Sequence, residues 1–151
     1  MRIVSIEEDA AFHAMVSRRL EAVSNHHYLA SPLIDTRIAL TDGRTIDTRW
    51  YAHAPTRRFE LILIDGPTNS KRGYEYVPYS RIGILPHLHQ LLAERFVIVI
   101  DDTDNYGYAQ TAEAIKELLE QQRRDLCTFS IYGVKSQMVI CSPAWSFLRS
   151  V

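Results

Sequence analysis

Glycine is scarce in this sequence: six occur in 151 residues, and none precedes Gly43. Backbone that curls closely around a phosphate or a cofactor relies on glycine, so a glycine-rich cradle near the amino end is excluded. No Gly-x-Ser-x-Gly elbow and no Walker-type phosphate loop occurs, which leaves serine hydrolase and P-loop nucleotidase without support. Two cysteines, Cys127 and Cys141, do not make a disulfide scaffold. Six histidines are present, yet none has zinc-ligand spacing. His87 and His89 stand two apart on an expected helix and so point about 200° apart. An excess of either charge is also missing. Lys+Arg is 17 and Asp+Glu is 18, a formal net charge of −1. A chain that is basic overall is thereby excluded, and nothing points to nucleic acid. No apolar run approaches the about 18 residues of a membrane-spanning helix. Met1–Glu7 runs from a short apolar stretch into acids, unlike a signal peptide, so a cytoplasmic domain is expected.

What is present is an ordinary globular composition, 46% hydrophobic and 23% charged, over one domain's length. Residues 1–151 read as a single α/β domain. Met1–Glu7 is a β-branched run that predicts a buried strand. Phe12, Met15, Val16 and Leu20 have helical spacing behind Asp9, a good N-cap. His27–Ala30 predicts a second strand. Residues 36–51 form a candidate hairpin insertion, with Arg37–Leu40 and Thr45–Tyr51 around Asp42-Gly43. Phe59–Ile64 and Phe96–Ile100 are continuous apolar runs, the pattern of strands covered on both faces in a parallel sheet. Leu85, Leu88 and Leu92 predict a helix over Ser80–Ala93, with Pro86 in its first turn or kinking it. Tyr108, Ala112, Ile115 and Leu119 mark a longer helix to about Arg124. Leu126–Tyr132 and Ser136–Cys141 flank Gly133-Val134-Lys135 as a terminal hairpin, which sets Cys127 opposite Cys141. The alternation predicts a three-layer, mostly parallel sheet with helices on both faces and a C-terminal antiparallel hairpin. In such sheets ligands sit beyond the carboxyl ends of the strands. Three expected strands end there in acids: Glu7, Asp65 and Asp101.

The ordered set Val4-Ser5-Ile6-Glu7, Leu61-Ile62-Leu63-Ile64-Asp65-Gly66-Pro67, Val97-Ile98-Val99-Ile100-Asp101-Asp102 and the terminal hairpin from Tyr132-Gly133 resembles a class I S-adenosylmethionine-dependent methyltransferase, a Rossmann-like fold. The resemblance begins at the family's second strand. It lacks the first strand and its Gly-rich loop, which in the family lie between the strands matching Met1–Glu7 and Phe59–Ile64. Three explanations stand side by side: an N-terminally truncated chain, direct pairing of the two flanking strands, or an element supplied by another copy or subunit. The resemblance implies S-adenosylmethionine as cofactor, with Glu7 accepting hydrogen bonds from its ribose diol, and a small-molecule acceptor. It also implies a homo-oligomer or a strand-complementing partner, because a lost central strand leaves edges open.

Asp65, Asp101 and Asp102 would gather at one sheet end, where oxygen ligands suit a divalent cation such as magnesium. Cation-dependent members of the family hold an acid-amide pair after the fifth strand, and Asp102 stands here in place of the amide. Asp65 is the candidate general base or metal ligand. The ordinary alternative is that these acids cap turns and helices. Lys71, Arg72 and Arg81 are candidates for contacting an anionic substrate, and Arg81 alternatively pairs with a site acid. Whether the chain is an enzyme stays open at this point. The reading from another class is a degenerate, non-catalytic methyltransferase-like module used in binding or oligomeric assembly.

Overall fold

The computed structural model describes residues 3–67, 77–122 and 125–150. Strand β1 (Ile3–Glu7) leads into helix α1 (Ala10–Leu20) and returns as β2 (His26–Ala30), parallel to β1. Asp9 starts the helix: its carboxylate accepts the N–H groups of Ala11 and Phe12, each at 2.8 Å, groups that have no partner inside the helix. Strands β3 (Leu33–Ala39) and β4 (Thr45–Tyr51) form an antiparallel hairpin. Its turn holds Gly43 at φ 85°, and the Asp42 carboxylate accepts the Arg44 N–H.

Strand β5 (Phe59–Ile64) pairs in parallel with β6 (Leu92–Ile100). Between them lie a 3₁₀ segment, Ile82–His87, and α2 (Leu88–Leu91). The single helix expected over Ser80–Ala93 is therefore not formed. Pro86 has no N–H to give and sits inside the 3₁₀ segment, and Leu92, expected on the helix, already belongs to a long β6. Helix α3 (Tyr106–Gln122) follows, then β7 (Cys127–Tyr132), β8 (Ser136–Cys141) and a 3₁₀ segment, Pro143–Ser150. Cys127 pairs with Cys141 across the hairpin, as its spacing predicts, and both are free thiols.

The expected three-layer, mostly parallel sheet is not what forms. Among the described residues the strands build three small sheets, ordered β1-β2, β3-β4 and β5-β6-β8-β7. In the four-stranded sheet only β5 and β6 run parallel; β6 with β8 and β8 with β7 are antiparallel. The reason is local on both sides. The hairpin strands β3 and β4 satisfy each other. No described strand joins β1 to β5, so the parallel pairs never merge. Direct pairing of those two strands, one of the three explanations above, does not occur among the described residues.

The core lies on one face of the four-stranded sheet. Phe96, Ile98, Ile100 and Ile140 meet Ala112, Ile115 and Leu119 of α3 and Ile82, Leu85 and Leu88 of the connection. Alternate residues point the other way, since side chains switch faces along a strand. On that second face Val97, Val139 and Cys141 are covered by Trp145 and Leu148. Leu61 and Leu63 on β5 share this face and stay 61% and 62% exposed. The expected helices on both faces do not form: α3 and the connection cover one face, and only the 3₁₀ segment Pro143–Ser150 packs on part of the other. No residue of β1, α1 or β2 is buried.

Candidate functional site

Strands β5 and β6 run side by side, so Asp65 leaves one and Asp101-Asp102 leaves the other at the same end of the sheet. One carboxylate oxygen from each of Asp65, Asp101 and Asp102 lies within 4.8 Å of the others. The three acids therefore gather as their sequence positions imply. Asp102 adopts φ 60°, in the left-handed region that Asp tolerates better than most residues.

Arg81 holds this cluster from beneath. Its side chain is 2% exposed. One terminal nitrogen donates to the carbonyls of Ile64 and Asp101, at 3.1 and 2.9 Å. The other reaches Asp65 and Asp102, both at 3.5 Å. The guanidinium lies 3.8 Å over the Tyr108 ring of α3, a favourable stacking for a cation. The Arg81 backbone N–H donates to Thr111 of the same helix. Arg81 thus ties the ends of β5 and β6 to α3. Lys71 and Arg72, the other residues considered for substrate contact, lie outside the described residues.

Two partners of the acids escape sequence reasoning. Lys135 Nζ stands 2.7 Å from Asp102 and 3.9 Å from Asp101. Gln137 donates to Asp101 at 2.8 Å. Both belong to the terminal hairpin, and they reach the site because β8 pairs with β6 rather than lying at an outer edge. The spacing of the hairpin was readable; the neighbour it chooses was not.

The electrostatics follow from these contacts. Burial pushes the Asp65 carboxyl up, Arg81 opposes this, and Asp101 and Asp102 add to it. The hydrogen bond from Gln137 holds Asp101 below the usual carboxylate range against the effect of burial, with Lys135 and Arg81 helping. Asp102, and then Asp101, stabilise the charged form of Lys135. Among the described residues, three carboxylates thus face two cations. Oxygen ligands at this spacing suit a hard divalent cation. Such a cation would compete with Lys135 for Asp102.

The second acidic group lies at the end of β1. Glu7 accepts the Asp9 N–H at 2.9 Å, which fixes its carboxylate against the start of α1. Glu8 accepts a hydrogen bond from the Tyr51 hydroxyl at 3.1 Å. Tyr51 is the last residue of β4, and no sequence motif marks it. A Cβ on Gly66 would come within 2.7 Å of the same hydroxyl, so Tyr51 touches the ends of both β1 and β5. Burial, then Glu8 and Glu7, push the Tyr51 phenol far up, and it stays protonated.

No protein-family model matches this sequence, and no curated protein does. Among solved structures, the chain superposes on a Clostridium thermocellum protein described as a "putative rRNA-methylase", with a TM-score of 0.50 and 11% sequence identity, over 93% of this chain and 75% of that one. The likeness is one of fold alone, and among the described residues this chain has no continuous central sheet.

Proposed function

We propose that the chain carries the acidic half of an S-adenosylmethionine-dependent methyl-transfer site for a small-molecule acceptor. The observation that carries this reading is the meeting of the β1 and β5 ends at Tyr51, with Glu7 on one side and Asp65 on the other. The fold likeness supports it. The donor set suits the cofactor's ribose, because a carboxylate held by one N–H keeps lone pairs for a vicinal diol. When bound, S-adenosylmethionine supplies an electrophilic methyl group on a sulfonium sulfur.

The chain's own residues divide the remaining work. Glu7, steadied by the Asp9 N–H, accepts from the ribose. Asp65 is 62% exposed at the rim. Its raised pKa makes it a better proton acceptor for the nucleophilic group of the acceptor molecule. Arg81 positions Asp65 from below. Most of the rate in such a transfer comes from orientation of the reacting pair. A divalent cation, where used, would sit on Asp65, Asp101 and Asp102. The fold neighbour's name refers to rRNA. Here the exposed Asp65 carboxylate at the rim, and a chain with no excess of basic residues, favour a small acceptor over a phosphate chain.

Calorimetric titration with S-adenosylmethionine and S-adenosylhomocysteine, with and without magnesium, tests the reading. Micromolar binding that Glu7→Gln weakens at least tenfold is expected. No heat and no thermal shift at millimolar ligand would overturn it. That outcome belongs to the second reading, a non-catalytic module serving binding or assembly. One observation favours the second reading: Arg81 and Lys135 already occupy the acids that chemistry would need.

A further inference from the structure

We infer that Cys127 and Cys141 form a reversible redox site, which a low-molecular-weight disulfide such as oxidised glutathione converts from two thiols into one cross-strand disulfide. The site stands apart from the acidic cluster and does not rest on methyl transfer. Cys127 and Cys141 are register partners at the open end of the β7–β8 hairpin, and both are free. Directly opposed residues of an antiparallel pair lie about 4.5–5.5 Å apart at Cα and point to the same face. A disulfide spans about 4.4–6.8 Å between Cα atoms, so the two strands already stand at a bridging distance. The side chains share the second face of the sheet, with Val97, Val139, Trp145 and Leu148. There the two thiols hydrogen-bond to each other.

The surroundings favour a bond over a metal. Among the described residues no histidine or carboxylate joins the pair as a third ligand, whereas a structural zinc takes four. The two thiols also differ in access. Cys127 is partly exposed and Cys141 is buried, and burial pushes the Cys141 thiol up to about 11. Cys127 therefore meets the oxidant first. Its thiolate attacks one sulfur of oxidised glutathione. The glutathione S–S bond breaks, and one glutathione leaves as a thiolate that takes up a proton. Cys141 then gives up its proton and attacks the Cys127 sulfur, which expels the second glutathione. Two protein thiols and one oxidised glutathione become one protein disulfide and two reduced glutathiones. The position of the bond gives it a consequence. β7 is the outer strand of its sheet, and β8 is its strand neighbour. The far end of the same hairpin brings Lys135 to Asp102 and Gln137 to Asp101. Closing a loop of about 15 residues at the open end pins β7 to β8 and limits fraying of the hairpin beside the acids.

The test equilibrates the full native chain in glutathione buffers, from fully reduced to fully oxidised, and quenches with iodoacetamide. In the oxidised buffer, a non-reducing tryptic mass map should join residues 125–135 to residues 136–149, with the loss of two hydrogens. Dithiothreitol should part them again. Oxidation should raise Tm by about 5 °C or more and slow amide exchange in Cys127–Tyr132 by about tenfold. Cys141→Ala should stop at a glutathione adduct on Cys127. Cys127→Ser changes a partly exposed position, so its result does not depend on repacking the core, and it should take up no glutathione. A glutathione adduct that persists on Cys127 in the parent would overturn the assignment. So would disulfide-linked dimers, two thiols that stay free in excess oxidised glutathione, or an internal disulfide that leaves Tm unchanged or lowers it.

Discussion

Replacing Arg81 by methionine keeps the length and apolar character of the stem and removes every donor. Two consequences can be weighed separately. The carbonyls of Ile64 and Asp101 lose donors at 3.1 and 2.9 Å, in a place water does not easily reach. An unsatisfied buried polar group costs about 1–3 kcal/mol. The carboxylates matter less, because Asp65 is 62% and Asp102 22% exposed and both keep water as a partner. The stacking on Tyr108 is lost as well. Together these give a loss of about 2–4 kcal/mol. For a chain of this length that is a fall of about 6–12 °C in Tm. Urea unfolding followed by circular dichroism measures it, with a lower midpoint and an unchanged slope. The pH dependence provides a second check. Arg81 opposes the rise of the Asp65 pKa, so without it that pKa climbs further in the folded state. A raised folded pKa means that the folded form holds its proton longer. Stability is then present below the unfolded value of about 4 and is lost as pH rises through the folded value. The deficit of Arg81→Met should therefore be larger at pH 7 than at pH 4. A loss under about 1 kcal/mol, or a deficit that grows toward acid, would refute the account of Arg81 as the tie between sheet and helix.

Asp9→Ala removes the acceptor for two helix N–H groups and should cost about 1 kcal/mol, read as a drop in Tm of about 2–4 °C. Gln137→Leu takes away the main cause of the low Asp101 pKa. That stabilisation exists above the unfolded value of about 4 and disappears as pH falls through the folded value, so the variant should match the parent in strong acid and fall behind it at neutral pH. Burial pushes the Cys141 thiol up to about 11, while Cys127 is partly exposed; iodoacetamide at pH 8 should label Cys127 well before Cys141 by mass spectrometry. Gly107→Ala would drive a Cβ into the Val77 carbonyl and the Ser80 hydroxyl. It should destabilise by about 1–3 kcal/mol in chemical unfolding, and a neutral result would refute that packing.

Much of the local structure was legible because it depends on neighbours in sequence. Asp9 caps α1, Asp42-Gly43 turns the first hairpin, and the apolar runs 59–64 and 96–100 are strands. Over 80–93 the leucine stripe is real but is served by a 3₁₀ segment, a short helix and a long β6 rather than by one helix. Leu85, Leu88 and Leu92 all reach the core without a continuous helix. The gathering of Asp65, Asp101 and Asp102 followed from strand order, since acids ending neighbouring parallel strands share one edge of the sheet. Lys135, Gln137 and Tyr51 were not readable in the site, because each arrives on an element whose partner strand no local pattern names.

Sequence by itself therefore determined most of the elements, the cap of α1, the hairpin turns and the acids at the strand ends, because backbone preference and hydrophobic period act over a few residues. Tertiary structure alone decided that the strands stop short of one sheet, that β8 lies beside β6, and that Arg81 is sealed beneath the acids. Those outcomes depend on which edges find partners and which charges leave water, and both are set by contacts far apart along the chain.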